Sequence, residues 1–199
     1  MVRRIVLFFF PFLLFGAGCV HRTDQSLPLP NPPEVSYTID RVVVFPFGYD
    51  KTVPVEVRDR VYRSFIKYLI KRRKLYIVHP EIVKEALGNV DYLIDKKKAE
   101  KLTEQLGGDG FVIGYLSDFS REPLALSIDA QLYPLVNPDV DLCAGHQSYH
   151  SGNKYTIARM KRYSSLFDWK KRPLGWERVK IKLDIFLDFV AWDIVQCFF

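Results

Sequence analysis

Cysteine is scarce, with three residues in 199. That excludes a small domain stapled by disulfides in place of a core. No stretch repeats at a period of roughly 20–50 residues, which excludes a solenoid or a propeller. No apolar run reaches the ~20 residues of a membrane-spanning helix. At 26% charged residues the chain is no polytopic membrane protein. Four histidines and no nucleophile elbow leave little material for catalysis. What the chain does have is a core: 48% apolar and 15% aromatic residues exclude global disorder. Its length fits one domain, or one domain with an appendage.

Residues 1–18 read as a targeting segment. Arg3 and Arg4 precede an apolar stretch, Ile5–Phe15, interrupted by Pro11. Gly16, Ala17 and Gly18 then suit a peptidase cleft. This is the layout of a secretory signal. A retained anchor is the competing reading, and the short apolar run disfavours it. Cys19 directly after the small residues resembles the lipobox of bacterial lipoproteins. Gly16 stands where that motif usually has leucine. The resemblance implies a diacylglycerol on the Cys19 thiol, cleavage before it, and acylation of the new amine with a palmitate-type chain. Two or three chains anchor stably where one is marginal. Val20 stands where an aspartate resembles an inner-membrane retention signal, so the resemblance implies the outer membrane, with the rest of the chain in the periplasm. Without Arg3 and Arg4 the chain keeps 27 Lys and Arg against 23 Asp and Glu. That is mildly basic and no nucleic-acid signature, and nucleic acid is not expected as a partner.

Residues 19–36 read as an acylated tether, kept extended by Pro28, Pro30, Pro32 and Pro33. Residues 37–199 read as one α/β domain. Arg41–Phe47 (RVVVFPF) is a strand buried on both faces. Val53–Lys74 is a helix with Val57, Val61, Phe65, Tyr68 and Leu69 on one side. Leu75–Val78 is a second strand. Pro80 opens a short helix that Gly88 stops. Asp95 caps a helix, Lys96–Leu106, which Gly107 and Gly108 end. Phe111–Leu116 is a third strand. Leu124–Val136 alternates as a strand with one covered face, Asn137-Pro138-Asp139 is a turn, and Val140–Ser148 returns as its hairpin partner. Lys154–Arg172 is a basic helix followed by a loop. Trp176–Phe199 closes the domain as a helix so apolar that it docks on the sheet or on a partner.

Arg41–Phe47, Ile77–Val83 and Ala99–Gly114 resemble the periplasmic lipoprotein superfamily with the TolB N-terminal-like fold, whose members include the penicillin-binding-protein activator LpoB and the curli secretion lipoprotein CsgG. The family pattern is a first strand ending in Pro-Phe, a strand-to-helix entry through proline, and a helix running through a glycine and an aspartate into the third strand. Gly107 and Asp109 occupy the glycine and aspartate places, with Gly108 where alanine is usual. Ala144–Ser151 and Phe186–Val195 match more loosely. The resemblance implies a single domain, a mixed β-sheet packed with α-helices.

Residue sets that could carry chemistry are few. Gly107–Gly110 follow a helix and open a strand, the reverse of a phosphate cradle, so they read as cap and turn. His146 and His150 lie in a strand-to-loop stretch without the shared helical face or third ligand of a zinc site, so no metal set is assigned. Ser117, Asp118 and Ser120 form no triad with them. No catalytic set and no cofactor are expected. Cys143 and Cys197 would share an oxidising compartment, where a bridge between strand and terminal helix stands beside two buried thiols as alternatives. Lys154–Arg172 carries seven cations against one acid, Asp168. Its ordinary reading is a solvated loop over the core. Its functional reading is a contact surface for anionic headgroups, glycan or an acidic protein, formed by Arg159, Lys161, Arg162, Tyr163, Trp169, Lys170 and Lys171. The leading expectation is an outer-membrane lipoprotein, not an enzyme, that binds or assembles another envelope component through protein binding. The alternative is an oligomeric secretion subunit resembling the curli lipoprotein.

Overall fold

The computed structural model describes residues 39–73, 75–88, 94–139, 141–167 and 174–198. The residues read as signal and tether, Cys19 among them, lie outside the described residues. The described residues form an α/β domain with one mixed, six-stranded sheet.

The sheet starts at β1 (Arg41–Val44). Successive side chains of a strand point to opposite faces, and all of Val42 to Phe45 are buried. Val42 and Val44 enter one apolar cluster, Val43 and Phe45 the other. The expected single strand over Arg41–Phe47 is broken by Pro46, which has no N–H for the ladder. Pairing resumes at β2 (Gly48–Tyr49), parallel to Tyr115 and Leu116 in the middle of β4 (Gly110–Arg121). Between the two pieces Phe47 turns its ring onto Gly114. A Cβ there would meet the ring at 2.5 Å, so only glycine leaves it room.

The 19-residue α1 (Val55–Arg73) leads to β3 (Tyr76–Ile77), parallel to β1 at the sheet edge. Next come α2 (Pro80–Leu87) and α3 (Lys96–Gln105). Asp95 caps α3 as expected, accepting from the Lys98 N–H at 2.9 Å. Gly107 takes φ 66° to end it. The Asp109 carboxylate accepts from the Asp40 and Arg41 N–H groups at 3.0 and 2.9 Å. The aspartate of the glycine-rich run therefore clamps the start of β1.

From β4 the sheet turns antiparallel through β5 (Leu124–Pro134) and β6 (Cys143–His150), giving the order β3-β1-β4-β5-β6. β4 runs five residues past its expected end because a register shift between Ser117 and Ser120 absorbs Asp118, at φ 54°. The chain then forms α4 (Lys154–Ser165), α5 (Glu177–Ile181) and α6 (Leu183–Cys197). The expected closing helix is thus two helices, parted at Lys182, whose backbone is extended at φ −102°, ψ 113°.

The larger core lies on one face of the sheet. Leu124, Leu126, Ile128, Ala130 and Leu132 of β5 meet Val57, Val61, Phe65 and Leu69 of α1 and most of α6 there. On the opposite face α2 and α3 cover the β1–β4 region through Val83 and Ala99. The closing apolar helix docks within the domain, on α1 and on β5 and β6.

Candidate functional site

Asn153 starts α4, its side chain accepting from the Tyr155 and Thr156 N–H groups at 2.8 and 3.4 Å. That is an ordinary N-cap. Thr156, Met160, Tyr163 and Ser164 follow at helical spacing and are buried. This stripe docks α4 against α6.

The structure divides the expected contact residues. Arg159 points inward. Its Nη1 donates to Asp193 Oδ2 and to Gln147 Oε1, both at 2.8 Å. Its guanidinium carbon lies 5.7 Å from the Tyr149 ring centroid. The Tyr149 hydroxyl donates to the same Asp193 oxygen at 3.0 Å. Burial alone would weaken the Arg159 charge, but the hydrogen bond and charge of Asp193 outweigh it and hold its pKa above the ordinary value. Burial, then the Asp193 charge, push the Tyr149 phenol well up. One arginine thereby pins α4 to β6 and α6.

Tyr163 is 1% exposed and packs beside Phe189 and Trp192. Its hydroxyl donates to Asp188 Oδ2 at 2.8 Å. Asp188 also accepts from the Tyr68 and Ser64 hydroxyls, both at 2.7 Å. Lys67 Nζ stands 3.4 Å from each of its oxygens. Burial would raise the Asp188 pKa, but the three hydroxyl donors and the Lys67 charge prevail and lower it. Tyr163 thus holds the domain together and presents almost no surface to a partner, while Arg159, its side chain 34% exposed, spends its guanidinium on Asp193 and Gln147.

The outward face is left to the other residues. Lys154, Lys161 and Arg162 are exposed, with Tyr155 and Leu166 beside them in the sequence at 53% and 58% exposure. No acid occurs in α4, and none of these three cations joins an ion pair among the described residues. Lys161 Nζ lies 4.9 Å from the Trp176 ring centroid, which places the start of α5 next to this face. Trp169, Lys170 and Lys171 lie outside the described residues.

The histidines stand on the exposed side of β6. His146 Nδ1 is 2.5 Å from Asp129 Oδ1 on the neighbouring strand. His150 Nδ1 accepts from the Gly152 N–H at 3.0 Å. Four residues along a strand span about 13 Å, too far for two ligands of one ion. Ser117 Oγ donates to Asp118 at 3.0 Å on β4, with β5 between them and β6. Cys143 and Cys197 carry thiols, with Cys143 Sγ 2.9 Å from the Cys197 carbonyl oxygen.

The internal acids Asp188 and Asp193 escaped the sequence reading. They do leave a signal there. A carboxylate within an otherwise apolar helix is costly unless it is paired, so two such residues in α6 announce buried donors on neighbouring elements.

The chain matches no protein-family model and no curated protein. It is similar in structure to lipoprotein GNA1162 from Neisseria meningitidis, at 15% identity and TM-score 0.49, over 67% of this chain and 99% of that one. It is also similar to the LpoB C-terminal domain from Escherichia coli, at 13% identity and TM-score 0.47, over 57% and 84%. A third likeness is to the PelC dodecamer from Paraburkholderia phytofirmans, at 10% identity and TM-score 0.46, over 80% and 84%.

Proposed function

We propose that this chain is a lipid-anchored envelope protein, held at the outer membrane by acyl chains on Cys19. Its α/β domain works in the periplasm as a non-enzymatic binding module for an acidic protein component of the envelope. The observation that carries the binding half is the outward face of α4, where Lys154, Lys161 and Arg162 are exposed and join no ion pair among the described residues. Such cations raise a long-ranged attraction for an anionic surface, and exposed Tyr155 and Leu166 offer apolar area to desolvate. In this reading Trp169, Lys170 and Lys171 extend the surface. The anchoring half rests on Arg3, Arg4, the Ile5–Phe15 run and Cys19.

The secretion-subunit alternative needs strands of ~9–11 residues that face lipid. β4 and β5 have the length, at 12 and 11 residues. However, Leu124, Leu126, Ile128, Ala130 and Leu132 already line the core against α1 and α6. No described helix is long and apolar enough to cross a membrane.

Two experiments test the two halves. Cys19→Ser should abolish incorporation of an alkynyl fatty acid in growing cells; equal labelling of variant and wild type would sink the anchor. Reversal of Lys161, Arg162, Lys170 and Lys171 to Glu, with Arg159 kept, should cut crosslinked recovery of the partner severalfold. Raising salt to ~0.5 M should do the same to the wild type by shortening the Debye length to about 4 Å. Changes at the exposed pair Lys161 and Arg162 should alter stability by no more than about 0.5 kcal/mol. Unchanged recovery and an unchanged salt response would leave α4 as a solvated helix face.

A further inference from the structure

We propose that Cys143 and Cys197 form a disulfide in the exported protein, stapling the end of α6 to the edge strand β6. Two independent contacts bring these residues together. Cys143 Sγ lies 2.9 Å from the backbone carbonyl oxygen of Cys197. Two residues along β6, on the same face, a Cβ built at Gly145 would lie 3.5 Å from Cys197 Cβ. Cys197 therefore sits over the Cys143–Gly145 stretch, with its backbone against the Cys143 sulfur. A disulfide needs its two Cβ atoms about 3.5–4.5 Å apart; Cys197 Cβ lies nearest the Gly145 position, so closing the bond takes a shift of Cys197 along β6 toward Cys143.

Two local features leave Cys197 room to make that shift. The Cys197 sulfur points back along α6, 3.7 Å from the Asp193 carbonyl oxygen, a weak contact that a χ1 rotation releases. Cys197 is also the last residue of α6, so the helix ladder does not grip its backbone from both sides. Neither cysteine is fully buried, so an oxidant reaches them. Burial, and after it the Asp193 charge, raise the Cys197 thiol pKa.

The chemistry is thiol–disulfide exchange with an oxidised dithiol, either a protein oxidase or a small disulfide such as glutathione disulfide. Cys143 loses its proton to solvent and its thiolate attacks one sulfur of the oxidant, expelling the other as a thiolate. The deprotonated Cys197 sulfur then attacks Cys143 Sγ in the mixed disulfide and expels the second oxidant thiolate. Two electrons pass to the oxidant, which leaves as two thiols. The new bond closes a loop that holds α4, α5 and α6.

The compartment in this inference comes from the export reading, which the Cys19→Ser labelling tests separately. The sulfur geometry is tested on the full-length chain, reduced and then equilibrated in detergent with a glutathione/glutathione-disulfide buffer. Alkylation and peptide mass spectrometry should find one linked pair of peptides, containing residues 143 and 197 and lacking two hydrogens. The linked form should melt roughly 5–10 °C above the reduced form. Cys143→Ser and Cys197→Ser should each remove that difference. Alkylated thiols or separate glutathione adducts at both positions would overturn the proposal, as would a linked form that melts no higher than the reduced one.

Discussion

Arg159→Glu should destabilise the domain by roughly 2–3 kcal/mol, less than the loss of one partner of a fully buried ion pair because the Arg159 side chain is 34% exposed. The variant places a second carboxylate against Asp193, whose side chain is 10% exposed. It also takes a donor from Gln147 and a cation from the face of Tyr149. Tyr149 is itself buried, so its hydroxyl cannot turn to bulk water. Arg159→Met should cost less, because a neutral side chain of similar length removes the pairing without adding repulsion. Lys161→Glu, two residues along the same helix, should change stability by no more than about 0.5 kcal/mol. Urea unfolding of the three variants checks this. An Arg159→Glu midpoint equal to that of Lys161→Glu would show that Arg159 does not carry the α4 attachment.

The contrast between neighbouring cations also explains what the sequence could and could not disclose. Strand β1 was legible because its consecutive β-branched residues, ended by Pro46, suit a strand buried on both faces of a sheet, and the two clusters bear this out. The α3 cap was legible because Asp95 and the glycines bracket a helix by local chemistry alone. The pause at Pro46 and the bulge at Asp118 depend on ladder pairing with distant residues. Local patterning does not encode that partner. In α4 the count of charges hid the phase of the helix. Thr156, Arg159, Met160 and Tyr163 share one face by spacing, and three of them are suited to a core. That phase would have turned Arg159 and Tyr163 inward and left Lys161 and Arg162 outside. Identifying Asp193 and Asp188 as their acceptors required the packing of α6 on α4, which no sequence period shows.

Asp188→Asn should cost the domain roughly 2–4 kcal/mol near neutral pH, with the loss confined to the ionised state of the carboxylate. Asp188 joins three helices, accepting from Ser64 and Tyr68 of α1 and from Tyr163 of α4 while sitting on α6. An amide fills the same space but loses one acceptor oxygen and the attraction of Lys67. The Tyr68 and Tyr163 hydroxyls are 3.2 Å apart and can recover one bond between themselves, so the loss stays below that of all four contacts. The pH dependence separates this account from a packing defect. Burial favours protonation of Asp188, but the hydroxyl donors and Lys67 prevail and depress its pKa below 3.8 in the folded state. The unfolded chain then takes up its proton first as pH falls. The stabilisation is complete above about pH 5 and is lost progressively below about pH 4, as the folded group also protonates. The stability gap between wild type and Asp188→Asn should therefore be constant from neutral pH to about pH 5 and then shrink on acidification. Denaturant melts across that range measure it. A gap unchanged down to about pH 2.5, below the ordinary carboxylate range, would assign the loss to shape and remove the charge from the explanation.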